Sequence, residues 1–356
     1  MKILVGLSGG VDSTVTALLL KEQGHEVIGA TMSIWGNDEN KLKAGDSRGC
    51  YGPDELKNIE TAKNLAKTLD IPYHVIDCTQ KYEEIVLKNF RTEYVEGRTP
   101  NPCVLCNANV KFGAFPINAK LDNGIEFDKF ATGHYARIVE ENGRFLLKRG
   151  IAPKKDQSYF LYRLTPEQLK YIMFPLGEYT KEEIRQLAKE RGLEVADKPD
   201  SQDFYGGDYN ELLGLEPKPG KFVSHDGKIL GQHKGIWNYT VGQRKGIGIS
   251  STEPLYVLEL RSETNEVVIG PADKTFKKSL IAVNLNWIAI DELGEERRAQ
   301  AKIRSTQQPV DVTLIPQGKN VKVVFDDMQK SIALGQSAVF YEGDTVLGGG
   351  LIESVE

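Results

Sequence analysis

KILVGLSGGVDSTVTALLLKEQGHEVIGATM, residues 2–32, decides the fold. KILVGL is a short apolar run rich in β-formers, and TVTALLLKEQG places its apolar residues at helical spacing and stops at Gly24. HEVIGATM follows as a second strand, so the stretch reads strand, glycine loop, helix, strand: a βαβ unit, which in a parallel sheet takes a right-handed crossover. The alternation continues with a helix over 54–69, a strand over 73–78 (YHVIDC), a helix in EEIVLKNFRTEYVEG and a strand ending FDKFATGHY at 127–135. This pattern predicts a doubly wound α/β domain with a parallel sheet. Near residue 200 the texture changes. Gly206, Gly207, Pro217, Pro219 and Gly220 break up the chain, and from about 221 short β-like runs such as KFVSH, LYVLEL, EVVIG, VDVTLI, VKVVF and SAVFYEG alternate with turn signals. Two small, mainly β modules dividing near 277 are expected there, as barrels or sandwiches.

Composition narrows the classes. The chain has 356 residues, 40% hydrophobic and 27% charged, which is globular usage and excludes wholesale disorder. No apolar run is long enough for a membrane span and the first residues do not read as a signal peptide, so no membrane partner and a cytoplasmic location are expected. The net charge of −5 does not by itself announce nucleic-acid binding. Any RNA contact must be local, with Lys111, Lys154, Lys155, Arg244, Lys245 and Arg304 as candidates against the default of a solvated face. Four cysteines are too few for a disulfide scaffold in a chain of this length.

Ser8-Gly9-Gly10-Val11-Asp12-Ser13 lies between the first strand and the first helix, where backbone N–H groups converge on an anion. The glycines allow close approach, and the two serines add hydroxyl donors. Asp12 would repel a phosphate unless a divalent cation bridged them, which implies Mg2+. Asp12 or Ser13 can also cap the helix with no ligand at all. The loop carries neither the P-loop G-x-x-x-x-G-K-[ST] nor G-x-G-x-x-G, so neither a Walker ATPase nor a dinucleotide fold is indicated.

SGGVDS is the signature of the PP-loop (N-type) ATP pyrophosphatases, and over almost its full length the chain resembles the tRNA-specific 2-thiouridylases. The resemblance is carried by SGGVDS (8–13), GRTPNPCVLCN (97–107), KFATGHYAR (129–137), KKDQSYFLYRL (154–164), YTVGQRKGIGI (239–249) and GQSAVFY (335–341). It implies a PP-loop catalytic domain over 1–200, a central tRNA-binding adaptor over 201–277 and a C-terminal β-barrel over 278–356. It implies an ATP site of Gly6, Leu7, Ser8, Gly9, Gly10, Val11, Asp12, Ser13, Met32 and Gly133. Asn101, Pro102 and Cys103 are expected at the target base, with Lys155, Asp156, Gln157, Arg304 and Ser305 on tRNA and His134 and Gln336 near the reacting base. The implied reaction adenylates the C2 oxygen of the wobble uridine, after which sulfur attacks C2 and AMP leaves. The partners are tRNA and a sulfur donor, either inorganic sulfide or a sulfur-relay protein.

Two departures from the family pattern fall on the sulfur chemistry. Where family members usually carry a second catalytic cysteine, in segments like DSQEIC, this chain reads DSQDFY and places Tyr205. Where some members have aspartate before the nucleophile, this chain has Cys103, giving Cys103-Val104-Leu105-Cys106, and a further thiol, Cys50, lies in the polar loop over 36–53. Three readings follow. Cys50, Cys103 and Cys106 hold a 4Fe-4S cluster with one iron open to hydrosulfide, as resemblance to iron–sulfur tRNA thiolases suggests. Alternatively, Cys106 is the nucleophile and Cys103 or Cys50 replaces the lost persulfide partner. The third is a structural zinc site completed by Cys78 or a histidine, although Cys78 ends a strand as a core thiol does. Outside thiolation, the loop suits another PP-loop amidating or adenylating ligase, or an RNA-binding or sulfur-carrier protein that has lost turnover.

Overall fold

The computed structural model describes residues 1–36, 49–198 and 203–356. Residues 37–48 and 199–202, which include most of the polar loop and the start of the DSQDFY segment, lie outside the described residues. The chain forms two compact units, one of residues 1–86, 103–209 and 344–346, the other of 87–102, 210–343 and 347–356.

The first unit opens with β1 (Lys2–Gly6), α1 (Val11–Glu22), β2 (Glu26–Ser33), β3 (Gly49–Tyr51), α2 (Glu55–Thr68), β4 (Tyr73–Asp77) and α3 (Thr79–Tyr82). A π-helical turn (Glu83–Leu87) leads into α4 (Lys88–Val95), which belongs to the second unit. The chain returns with α5 (Pro102–Leu105), a π-helix (Cys106–Ala114), α6 (Phe115–Leu121) and β5 (Lys129–Ala131). After these come the hairpin of β6 (Ala136–Glu141) and β7 (Arg144–Arg149), then α7 (Pro166–Tyr171), β8 (Ile172–Met173), α8 (Lys181–Glu190) and β9 (Asp203–Tyr205). Five strands make a parallel sheet in the order β4-β2-β1-β5-β8. The three central residues of β1 are fully buried, as expected of a strand covered on both faces. Val5, Val11, Val15, Leu20, Ala131 and Ile184 share one apolar cluster that seats the first helix on the sheet.

The chain builds outward from β1 through β2 to β4, then crosses to the opposite side of β1 for β5 and β8. The loops after β1 and β5 therefore lie side by side at a topological switch point, the place where open α/β sheets bind ligands. Gly133 shows how close they are. A Cβ there would fall 2.8 Å from the backbone carbon of Asp12 and 2.9 Å from the Ser13 nitrogen.

The second unit contains two β assemblies. A four-stranded sheet is built from β10 (Gly220–Ser224), β11 (Ile229–His233), β12 (Tyr256–Arg261) and β13 (Glu266–Gly270), in the order β11-β10-β13-β12. Six strands then form a closed barrel: β14 (Phe276–Trp287), β15 (Arg297–Lys302), β16 (Val310–Gln317), β17 (Asn320–Lys330), β18 (Ser337–Glu342) and β19 (Thr345–Val355). They run β14-β17-β16-β15-β18-β19, and β14 closes the ring against β19. Leu280, Val312, Val323, Phe325 and Phe340 fill the interior. The fold class expected from the sequence is the one found. No helix among the described residues is long and apolar enough to cross a membrane.

Phe340 is fully buried in the barrel. Phe340→Ala is expected to lower unfolding free energy by about 3–5 kcal/mol, measured by denaturant titration. A loss below about 1 kcal/mol would show that Phe340 is not packed as described.

Candidate functional site

The turn between β1 and α1 is braced from within. Ser8 donates its backbone N–H to Ser13 Oγ at 3.1 Å, the two serine hydroxyls lie 3.2 Å apart, and Ser13 Oγ donates to the Gly10 carbonyl. Gly9 sits at φ +72°, where a side chain is strained, and a Cβ there would meet the Asn58 carbonyl oxygen of α2 at 2.9 Å. Gly10 is the N-cap of α1 and supplies no side-chain cap, so capping by Asp12 or Ser13 is not what the segment does. The first N–H groups of a twelve-residue helix are left for another acceptor, which is the arrangement that takes phosphate. Met32, at the end of β2, is partly buried, and the next residues are tied down by Glu55: its carboxylate accepts from Ser33 Oγ at 2.7 Å and from the backbone N–H of Ile34 and Trp35 at 2.6 and 2.9 Å.

Asp12 is not a bare acid beside this loop. Lys181, at the first position of α8 and only 5% exposed, donates to both carboxylate oxygens at 2.7 and 2.8 Å, and the Tyr135 hydroxyl donates to Oδ1 at 2.7 Å. The buried ammonium neutralises Asp12, so the charge conflict that called for a bridging Mg2+ is resolved within the chain. Any magnesium at the loop needs another reason, namely the charge of the nucleotide it accompanies. Neither Lys181 nor Tyr135 was singled out from the sequence.

The thiols gather on one side of the same unit around α3. Cys103 lies in α5 and Cys106 begins the π-helix, while Cys50 is exposed on β3 and Cys78 is buried, all four as free thiols. Tyr82 is 1% exposed, and its phenol is pushed well above the ordinary tyrosine range, first by burial and then by Cys50, Cys106 and Cys103. Tyr51 stacks on Tyr82 at 5.2 Å between ring centres, and Trp35 meets Tyr51 edge-on at 4.7 Å. Burial pushes the Cys106 thiol up to about 12, against the pull of the Lys111 ammonium, and Cys50 adds to the rise. Cys78 is likewise pushed up to about 12, mainly by burial. Ligation and nucleophilic attack both need the thiolate, so Cys106 as it stands is a protonated thiol. Among the described residues no group of three or more His, Cys, Asp or Glu side chains is arranged to hold a metal ion. Cys50, Cys103 and Cys106 thus share Tyr82 as a neighbour without closing into a coordination shell.

Cys50 also has a relation that spacing could not reveal. β3 pairs in parallel with β9, Gly49 opposite Asp203 and Tyr51 opposite Tyr205, and Cys50 Sγ lies 3.7 Å from the Phe204 carbonyl oxygen. A thiol from one strand therefore stands beside the segment whose own expected cysteine is replaced by the buried Tyr205.

The remaining sequence candidates take varied positions. His134 is partly buried against Phe112 and Phe174, with Nδ1 2.7 Å from Thr132 Oγ1. Burial, helped by Lys111, drops its pKa well below the usual histidine value, so it is neutral. Lys155 is partly exposed in the turn after Ala152. The Asp156 carboxylate is turned inward, accepting from Gly150 N, Ser158 N and Ser158 Oγ at 3.0–3.2 Å and lying 3.4 Å from Arg149 Nε. Gln157 Oε1 accepts from the Tyr135 backbone N–H at 2.9 Å, linking that segment to the Asp12 cluster. In the second unit Gln336 Nε2 donates to the Thr99 and Pro100 carbonyls at 3.0 and 3.3 Å, and Leu334 O accepts from Thr99 N at 2.7 Å. Gln336 thus fixes the backbone that leads directly into the partly buried Asn101 and Pro102. Arg304 is exposed and donates to the Ser331 carbonyl, and Ser305 is partly exposed.

Two outcomes follow from these contacts. Asp156→Ala strands three donors and is expected to destabilise the chain by about 1–3 kcal/mol in denaturant unfolding; unchanged stability would leave Asp156 free for an external partner. Lys181→Met leaves Asp12 uncompensated and is expected to lose ~2–3 kcal/mol, below the ~3–5 of a fully buried pair because Asp12 keeps 29% side-chain exposure. Adding Asp12→Asn should restore much of that loss, and a double variant no more stable than Lys181→Met would rule out charge compensation as the role of the pair.

Known proteins match along the whole chain. The families described as "tRNA methyl transferase HUP domain", "tRNA methyl transferase PRC-barrel domain" and "Aminomethyltransferase beta-barrel domain" match residues 1–205, 213–271 and 277–352. A protein of Endomicrobium trichonymphae named tRNA-specific 2-thiouridylase MnmA is 51% identical over 99% of both chains. One of the same name from Acetivibrio thermocellus is 46% identical, again over 99% of both. A solved 4-thiouridine synthetase–RNA complex with bound ATP aligns at a TM-score of 0.35 and 16% identity, over 59% of this chain and 45% of that one, too distant a likeness to bear on the site. With full-length identity at this level joined to the switch-point loop and the gathered thiols, the chain belongs to the tRNA-specific 2-thiouridylase family.

Proposed function

We propose that this chain is an ATP-dependent tRNA uridine 2-sulfurtransferase that acts on the wobble uridine in the cytoplasm. The observation that carries the reading is the presence, in one compact unit, of a charge-compensated phosphate loop and a group of three thiols. The uncapped start of α1 and the Ser8 and Ser13 hydroxyls bind the phosphates of ATP, which brings Mg2+ as its counter-ion. The uridine C2 oxygen attacks the α-phosphorus and pyrophosphate departs, leaving an adenylate whose C2–O bond has become labile. A sulfur nucleophile adds to C2, AMP leaves with the original oxygen, and C2 is left as a thione. Donors of sulfur that suit the site are inorganic sulfide or a sulfur-relay protein. Neutral, partly buried His134 adds no charge to the unit that carries the phosphate loop. Methyl transfer, the word in two of the family descriptions, needs neither an ATP phosphate loop nor clustered thiols.

The sulfur step is assigned to Cys50, Cys103 and Cys106 acting together. The position of Cys50 beside Phe204 supports the idea that it supplies in space the thiol that Tyr205 does not. A 4Fe-4S cluster on these three residues would supply sulfide binding at an open iron. It requires the thiols to draw closer than they stand, so no step is derived through it. In the metal-free alternative a sulfur-relay protein hands sulfane sulfur to one of the cysteines as a persulfide, that terminal sulfur attacks C2, a disulfide forms between Cys106 and its partner, and a thiol reductant resets the pair.

The deciding assay is anaerobic thiolation of unmodified tRNA with ATP and Mg2+, supplied in parallel with sulfide and with a persulfide-carrying donor, and read by nucleoside mass spectrometry on iron-loaded and metal-free protein. We expect 2-thiouridine that depends on ATP and falls to background in Cys106→Ala and Cys50→Ala. Product only with iron selects the cluster, and equal product without iron selects thiol chemistry. ATP turnover on tRNA with no 2-thiouridine in either form would overturn the sulfurtransferase reading.

A further inference from the structure

Two lysines lie on segments that flank the phosphate loop. Lys198 follows α8, and its Nζ donates to the Gly9 carbonyl at 3.0 Å. Lys57 lies in the first turns of α2, the helix that abuts Gly9 through Asn58 and Thr61. Lys198 is held below the usual lysine range, first by burial and then by the charge of Lys57. Among the described residues neither lysine has a carboxylate partner. The contrast with Lys181, which is fully occupied by Asp12, is direct. Like charges held together on a glycine turn, one of them satisfied only by a carbonyl, are stabilised when a polyanion arrives between them.

We infer that Lys198 and Lys57 form a polyphosphate clamp that positions the β- and γ-phosphates of ATP and then holds the departing pyrophosphate. The clamp rests on the nucleotide reading given above and adds to it two residues outside the SGGVDS loop. Lys198 Nζ exchanges the Gly9 carbonyl for a phosphate oxygen when the nucleotide binds. As the uridine oxygen bonds to the α-phosphorus, the bond from that phosphorus to the bridging oxygen breaks. Its electron pair stays on the pyrophosphate, where both cations offset the added charge. These are positioning residues for the leaving group, distinct from Asp12 and Lys181, which settle the charge of the loop itself.

The test is isothermal titration of the full chain with ATP, with inorganic pyrophosphate and with AMP, for wild type, Lys198→Met, Lys198→Arg and Lys57→Met. We expect Lys198→Met to weaken ATP and pyrophosphate by about tenfold or more, with Lys57→Met weakening both by less, in keeping with the loss of one charge-assisted contact. AMP binding should be unchanged in all variants, and Lys198→Arg should retain more affinity than Lys198→Met. Lys57 is exposed, so its variant keeps the test valid if Lys198→Met fails to fold. Wild-type protein that binds ATP and pyrophosphate while the variants bind them equally well overturns the clamp alone. An equal loss for AMP also overturns it, because the effect would then not lie at the outer phosphates. Wild-type protein that binds neither ATP nor pyrophosphate overturns the nucleotide reading and the clamp with it.

Discussion

The candidate site depends on one partly buried charge pair. Lys181 and Asp12 are 169 residues apart, and their contact joins the start of α8 to the start of α1, with Tyr135 drawing in the segment after β5. A carboxylate in the first turn of α1 is favourable to the helix but hostile to a phosphate at its tip. The ammonium answers both demands, because it discharges the acid without occupying the loop. It is also held against alternatives: the Thr180–Glu183 capping box fixes the start of α8, so the Lys181 backbone cannot wander. Gln157, bonded to Tyr135 from the other side, extends the same constraint to the segment before Ser158.

Much of this was legible in the sequence, and the illegible part has a common cause. The strand–loop–helix–strand reading of residues 2–32 depends on neighbours in the chain, and so does the Cys103–Cys106 spacing. Lys181, by contrast, looks like an ordinary surface lysine in an amphipathic helix. The one local sign was its position: a cation at the first helical residue opposes the helix dipole and invites a search for an anion nearby. The proximity of Cys50 to Phe204 arises from pairing between β3 and β9, about 150 residues apart, which no periodicity predicts. Asp156, which the family resemblance implies on tRNA, has its carboxylate turned to its own backbone, an orientation that neighbours in the sequence do not announce.

The second unit makes its contribution through rigidity. Its barrel closes on itself, and Gln336 and Leu334 grip the backbone of Thr99 and Pro100 just ahead of Asn101 and Pro102. Arg98, bonded to Glu93 and Glu353 at 2.9 and 2.8 Å, adds a second point of attachment. The backbone of Thr99 and Pro100 is thereby held to the barrel of its own unit.

The π-helix over Cys106–Ala114 carries a consequence of its own. A wide turn accommodates one residue more than the α-helical hydrogen-bond pattern allows, and such insertions persist where side chains on either side must keep an unusual phase. Here Cys106 opens the wide turn while Val110, Phe112 and the following Phe115 are locked in the core. Loss of a single residue within it would let the segment relax to a regular α-helix and turn everything upstream by roughly 100° relative to that core. The two cysteines and the proline before them would then point elsewhere with every strand of the sheet intact. The spacing between the thiols and the apolar anchors behind them is therefore set by this wide turn, and a change of one residue within it would displace both cysteines.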